Sequence, residues 1–160
     1  MTSYTITPAW SLHDPGLVQA AIGFWRDLAI LPQGVDPAAR AAELVALARQ
    51  GDTVAAVSTA AIQEIPTVRS RFAMFRCAVA PEHRRSHLAT EMLLNAKTQI
   101  EQWSLAHPEA RVQGLGIVLE ADIGERARIP LWTQSGLHLA GYTPYGRQLR
   151  LAWFEHARIG

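Results

Sequence analysis

AVAPEHRRSHLATEML, residues 78 to 93, is the stretch on which the fold reading turns. Its apolar start reads as the end of a strand, and Pro81 stops that strand because proline cannot donate to a ladder. From Leu88 the apolar residues Leu88, Met92, Ala96, Ile100 and Trp103 recur at helical spacing until Pro108. Arg84 and Arg85 therefore fall where a strand turns into a helix. A helix start leaves several N–H groups without partners and carries the positive end of the helix dipole, so the turn before Leu88 is a ready anion site. Guanidinium forks match phosphate oxygens bidentately. Cations at a helix N-terminus disfavour the helix by about a few tenths of a kcal/mol, a cost that a bound anion offsets. The competing reading is a solvated surface pair partnered by Glu82 or Glu91.

Working outward, Tyr4 to Ile6 reads as a first strand, and Asp14-Pro15 is an N-cap followed by proline at the first helical position. The spacing of Leu17, Ala20, Ala21, Phe24 and Leu28 predicts a helix there. The same start signal at Asp36-Pro37, ahead of Ala41, Leu44, Val45 and Ala48, predicts a second helix that stops at Gly51. Thr53 to Ile62 and Arg69 to Ala80 read as strands, the first covered on both faces. Gly114 to Ala121 is a third strand of this group. A short helix, starting near Ile129 because Pro130 opposes an earlier start, ends near Gly136. Two final strands flank Thr143-Pro144-Tyr145-Gly146. The expected order is β-α-α-β-β-α-β-α-β-β: a mixed α/β (α+β) domain spanning residues 1–160, with no repeat and no linker.

Composition bounds the function. The 160 residues are 49% hydrophobic, enough for a substantial core without staples. A formal net charge of +1 with 18% charged residues lacks the basic surface of a nucleic-acid binder, so any anion site is local. The single cysteine, Cys77, cannot form an intramolecular disulfide. The start, MTSYTITPAW, has neither the basic region nor the apolar core of a signal peptide, and no apolar run reaches membrane-spanning length. A cytoplasmic protein without membrane partners is the expectation.

Val79, Pro81, Glu82, Arg84, Arg85, Leu88, Ala89 and Leu93 resemble the acetyl-CoA-binding segment of the GNAT superfamily of N-acetyltransferases. In that segment a strand, an arginine-bearing loop and a helix N-terminus hold the cofactor's pyrophosphate. The family pattern, Arg or Gln, two residues, Gly, one residue, then Gly or Ala, here reads Arg84, Arg85, Ser86, His87, Leu88, Ala89. His87 replaces the first glycine, where a side chain crowds the backbone against the pyrophosphate or donates to it. The resemblance implies acetyl-CoA as co-substrate and a GNAT-like, mostly antiparallel central sheet flanked by helices. It also implies cofactor contacts from Cys77, Ala78 and Val79 of the strand and from Arg84, Arg85, Ser86, His87, Leu88, Ala89 and Thr90 of the loop and helix start. Glu125, Arg128, Leu131-Trp132 and Gly136-Leu137 keep the skeleton of the family's second cofactor-contacting region. Trp132 occupies the place of a tyrosine that can act as acid for the departing thiolate. Indole has no usable acidic proton, though it can fill the wall beside the pantetheine. Dimers are common in the family, so a homodimer is compatible with the resemblance.

Aminolysis of a thioester needs a neutral amine, donors for the developing oxyanion and a route for protons, but no covalent nucleophile. The resemblance assigns a backbone N–H around Cys77 to Val79 to the donor carbonyl, with the pantetheine arm pairing to that strand. Glu120 is the first candidate base, Asp122 the second and Glu64 a distant third; Asp122 also looks like a helix cap. Tyr142 and Tyr145 are candidate replacement acids, each more readily a packing or turn residue. The bland reading of Cys77 is a buried small hydrophobe. His83 and His87 lie four apart without a third ligand, so no metal is expected. Trp10, Trp25 and Trp132 are core or the wall of an acceptor groove. Three activities follow: acetyl transfer to the amine of a small molecule or protein; acyl transfer from a longer donor, as Ser70-Arg71-Phe72-Ala73 faintly suggests; or a non-enzymatic acyl-CoA-binding module.

Overall fold

The structure, a computed structural model, describes residues 3–120 and 122–158. Ala121, the last residue of a predicted strand, lies outside them, as do Met1 and Thr2 of the segment read for a leader. The class is mixed α/β, with a mostly antiparallel sheet flanked by helices. The chain separates into two compact units, residues 1–60 with 76–99 and residues 61–75 with 100–160.

In the first unit the strand order is β1 (Thr5–Pro8), β2 (Leu44–Gln50), β3 (Thr53–Ile65), all antiparallel. Ile6 sits opposite Ala48, and Leu47 opposite Val57. Helix α1 (Pro15–Leu28) starts as its cap predicts, Asp14 Oδ1 accepting from the N–H groups of Gly16 at 2.8 Å and Leu17 at 3.1 Å. It buries Ala21, Phe24 and Trp25 against Leu44, Leu47, Val57 and Ala80. Each large apolar side chain so covered contributes about 1.5–3 kcal/mol.

The second predicted helix is corrected. Asp36 does cap it, through the N–H of Ala38, but α2 covers only Pro37–Ala41, and Leu44 onward is strand β2. Residues 44–48 are buried without alternation, in a strand whose two edges are paired by β1 and β3. A continuous apolar run fits a buried helix and a doubly covered strand alike, and the neighbours decide. Gly51, at φ +60°, turns β2 into β3 instead of stopping a helix.

In the second unit the order is β4 (Ser70–Val79), β5 (Val112–Val118), β8 (Gln148–Trp153), β7 (Leu137–Tyr142), β6 (Leu131–Trp132). β4 with β5 is parallel, from Arg71 opposite Val112 to Met74 opposite Gly116, while β5–β8, β8–β7 and β7–β6 are antiparallel. Phe72, Met74, Ile65 and Leu151 form a core cluster, with Trp153 edge-on to Phe72 at 4.9 Å. A Cβ on Gly114 would lie 2.2 Å from the Ala152 carbonyl oxygen, so β5 packs this closely to β8 only because that residue is glycine. The predicted final turn is present: Gly146 N–H donates to Thr143 O at 2.9 Å.

The short helix expected from Ile129 to Gly136 is the second correction. A 3₁₀ turn spans Gly124–Arg128, and residues 131 and 132 are strand β6, opposite His138 and Leu137. Pro130 brings no N–H to a helix, and its carbonyl is taken by Leu139 N–H at 2.9 Å. Strand pairing to β7 therefore replaces the helical ladder. The predicted helix after the arginine pair, α3 (Leu88–Ala106), is present, with Leu88, Met92, Ala96 and Ile100 all buried.

Candidate functional site

The arginine loop lies wholly in the first unit and is fixed at both ends. Where β4 ends, Ala80 N–H donates to Ala55 O at 2.8 Å, and a 3₁₀ turn, Pro81–His83, follows with His83 N–H on Ala80 O at 2.9 Å. His83 is buried: its Nδ1 lies 3.0 Å from the Tyr4 hydroxyl, and the two rings meet edge to face at 5.5 Å. Ser86 Oγ donates to the His83 carbonyl. At the far end the His87 carbonyl accepts from Glu91 N–H at 3.1 Å, so α3 begins directly after His87.

Between these anchors, Arg85 at φ +70° and His87 at φ +62° adopt the left-handed conformation. For an L-residue that costs about 1–2 kcal/mol. It is also one of the conformations from which anion-binding concavities of backbone N–H groups are built. His87, which stands where the resemblance has a glycine, occupies a backbone conformation that glycine adopts freely. Arg84 Nε donates to Val79 O at 3.2 Å, which aligns the guanidinium beside the strand and leaves its Nη groups without a hydrogen bond among the described residues. Arg84 and Arg85 are exposed, and among the described residues neither forms an ion pair with Glu82, Glu91 or any other carboxylate. Two cations with no ion-pair partner among the described residues stand before the first turn of a 19-residue helix, where the dipole and the free N–H groups both favour a negative charge.

The strand entering this loop carries Cys77, Ala78 and Val79, all half-buried; Leu88 is buried, Ala89 exposed and Thr90 half-buried. Burial pushes the Cys77 thiol up from 9.0 to about 12. At neutral pH that sulfur is a small apolar group, as its bland reading expects. The predicted cofactor-contacting residues from Cys77 to Thr90 therefore form one continuous strand, loop and helix start.

The other predicted residues lie in the second unit. Glu120 follows β5 and is exposed; its carbonyl oxygen accepts from Arg147 Nη1 at 2.7 Å. Asp122 Oδ1 accepts from Gly124 N–H at 2.8 Å, but the N-cap position of the 3₁₀ turn is Ile123, which makes no side-chain cap bond, so Asp122 is not the cap it resembles. Tyr142 ends β7 and is 63% exposed, while Tyr145, in the hairpin turn, is 91% exposed. Trp132 Nε1 donates to Arg126 O at 3.0 Å, and two guanidiniums lie against its ring, Arg150 at 4.0 Å and Arg126 at 5.1 Å. Trp25, by contrast, is core of the first unit.

Arg150 escaped the sequence reading. It is fully buried on β8, donating from Nε to Gln148 and from Nη2 to the carbonyls of Ala127 and Ile129. Burial pulls its pKa below the ordinary arginine value, Tyr142 opposing and Arg126 adding to the shift. Nothing in its strand pattern marks it, since Arg150, Leu151 and Ala152 of β8 are buried in succession and a lone arginine in such a run gives no sign of being inside. Among the described residues no cluster of His, Cys, Asp and Glu is arranged to hold a metal ion, and no helix is long and apolar enough to cross a membrane.

Neither a protein-family model nor a curated protein sequence matches the chain. Solved structures do match its fold, and they include GNAT-family acetyltransferases. A GNAT-family acetyltransferase from Streptococcus pneumoniae superposes with TM-score 0.56 at 12% identity, over 95% of this chain and 100% of that one. N-acetylglutamate synthase from Neisseria gonorrhoeae, complexed with coenzyme A and L-arginine, gives 0.58 at 11% identity, over 98% of this chain and 34% of that one. A mutant of the toxin AtaT, bound to acetyl-CoA and the C-terminus of the antitoxin AtaR, gives 0.57 at 12%, over 94% of this chain and 92% of that one. The chain has the GNAT fold.

Proposed function

We propose that this protein is an acyl-CoA-dependent acetyltransferase that moves an acetyl group from acetyl-CoA to a primary amine of a small molecule or protein. The observation that carries the reading is the arginine loop. Two left-handed residues and two guanidiniums that form no ion pair among the described residues precede the start of α3, directly after a strand whose thiol burial holds protonated at neutral pH. That donor set suits the pyrophosphate of coenzyme A, with Arg84, Arg85 and the N–H groups from His87 onward as its holders. Structures of the same fold that hold coenzyme A or acetyl-CoA support the choice of ligand.

The chemistry supplied by the donor is an activated thioester. A neutral amine attacks its carbonyl carbon, a C–N bond forms, the C–S bond breaks, and the sulfur leaves as thiolate while the amine loses a proton. Backbone N–H groups of Cys77 to Val79 are assigned to the developing oxyanion. A route through an acyl-cysteine is disfavoured, because a thiol pushed up to about 12 is almost wholly protonated at neutral pH. Glu120 is assigned the proton acceptor's role, directly or through water, with Asp122 second because its carboxylate already accepts from Gly124 N–H. Thiolate is a good leaving group, so Trp132 in place of an acid is compatible with turnover.

Calorimetric titration with acetyl-CoA of the native protein, Arg84→Glu and Arg85→Glu tests the reading. Micromolar binding, weakened at least tenfold by either reversal, is the expected result. Absence of binding by acetyl-CoA and by longer acyl-CoAs would sink it. Tighter binding of a longer donor would favour the long-acyl alternative, and binding without release of coenzyme A across an amine panel the non-enzymatic one.

A further inference from the structure

The second unit contains a cleft of about 550 Å³ that the acetyl-transfer chemistry does not use. Its walls come from three separated stretches of chain: the β3–β4 turn, the segment from the end of α3 into β5, and the tail after β8. They bring four arginines, Arg69, Arg71, Arg111 and Arg158, to one concavity, with His156 beside them and Glu64 as the lone carboxylate of the lining. In a chain of formal net charge +1, this concentration of cation is out of proportion. Among the described residues none of the four arginines is in an ion pair, with Glu64 or any other acid.

Structural reasons for so many cations are too small. The cleft includes the C-terminal turn of α3, whose carbonyls attract positive charge. A helix end carries the equivalent of about half an elementary charge, which cannot balance four guanidiniums. Two of the arginines are moreover held against local preference: Arg69 at φ +50° and Arg111 at φ +53° occupy left-handed turn positions where glycine would be free of strain. The others are braced. Arg71 Nη1 donates to Ala110 O at 2.8 Å, and the Arg158 backbone N–H donates to Gln113 Oε1 at 2.6 Å. Buried Ser104 donates from Oγ to Glu101 O at 2.8 Å, and His156 Nε2 lies 2.8 Å from that hydroxyl.

We infer that this cleft is a binding site for a small, multiply charged oxyanion, a di- or polyphosphate or a polycarboxylate. Guanidinium forks grip both chemistries bidentately, and the volume lies within the roughly 300–1,000 Å³ range of small-molecule sites. A single monovalent anion would leave most of the cationic charge unanswered, and an apolar ligand would have to strip water from the guanidiniums without return.

The test is calorimetric titration at low ionic strength with two probes, inorganic pyrophosphate and citrate. Native protein is expected to bind at least one of them saturably, and the stronger probe tells phosphate from carboxylate. In Arg69→Gly/Arg111→Gly the affinity should fall at least tenfold, the scale of losing charged hydrogen bonds worth about 1.5–3 kcal/mol. Because glycine suits both backbone positions, that variant removes charge without straining the fold. Arg158→Gln, at an exposed residue near the chain end, is a second variant independent of both turns and should weaken binding severalfold. Because the arginine loop is itself assigned to a pyrophosphate, every titration is also run in the Arg84→Glu/Arg85→Glu background, so that the binding read there is the cleft's. The inference is overturned if neither probe titrates saturably in that background, or if binding there survives the cleft variants.

Discussion

Replacing His87 by glycine, with alanine as the control, probes the loop directly. His87 sits at φ +62°, where an L-residue pays about 1–2 kcal/mol relative to the right-handed region. Glycine removes that strain but widens the unfolded ensemble, returning roughly 0.4–1 kcal/mol. The expected net is therefore about 0–1.6 kcal/mol of added stability for His87→Gly. For a chain of this size that is a rise in Tm of up to about 6 °C. His87→Ala keeps the strain, so it should stay near the native value and below the glycine variant by about 1 kcal/mol. Urea denaturation followed by far-UV circular dichroism reads both variants. The exposed imidazole makes no hydrogen bond among the described residues, so neither change should be obscured by a lost partner. In the same preparations His87→Gly should bind acetyl-CoA at least as tightly as the native chain, since a side chain has left the pyrophosphate loop. A glycine variant less stable than the alanine variant would refute the left-handed assignment and the strain argument with it.

Gly114→Ala should cost about 3 kcal/mol or more in urea denaturation, because its Cβ would lie 2.2 Å from a backbone oxygen, and β5 must shift from β8. Gly116→Ala should cost clearly less, since its nearest atoms are Met74 Sδ at 2.6 Å and Leu151 Cδ2 at 2.9 Å, ends of side chains that can turn; equal losses would contradict the distinction. Cys77, its thiol raised from 9.0 to about 12, should be alkylated by iodoacetamide at pH 8 about a thousandfold more slowly in native protein than in denaturant. Because that folded pKa lies above the unfolded one, the stabilising term is full below pH 9 and is lost as pH rises towards 12, a loss that Cys77→Ala should abolish. Trp132→Ala removes two guanidinium–ring contacts and the Nε1 bond to Arg126 and should cost about 2 kcal/mol, measured by thermal unfolding.

What the sequence by itself determined are the features whose physics closes within a few residues. Asp14 and Asp36 cap the N–H groups two or three positions on, the stripe from Leu88 to Ile100 needs only helical spacing, and the turn from Thr143 to Gly146 satisfies itself. The strand, arginine loop and helix start from Cys77 to Thr90 were legible for the same reason: proline, arginines and apolar spacing are local signals. Tertiary structure decided the rest. LVALA at 44–48 becomes a strand because β1 and β3 lie on either side, and residues 131 and 132 pair with β7 where a helix was expected. No glycine announced the left-handed turns at Arg85 and His87, which exist because the anchors around them fix the chain's course. Arg150 beneath Trp132, and the four arginines of the cleft, are brought to their places by segments far apart in the chain, and no spacing rule reaches across such separations.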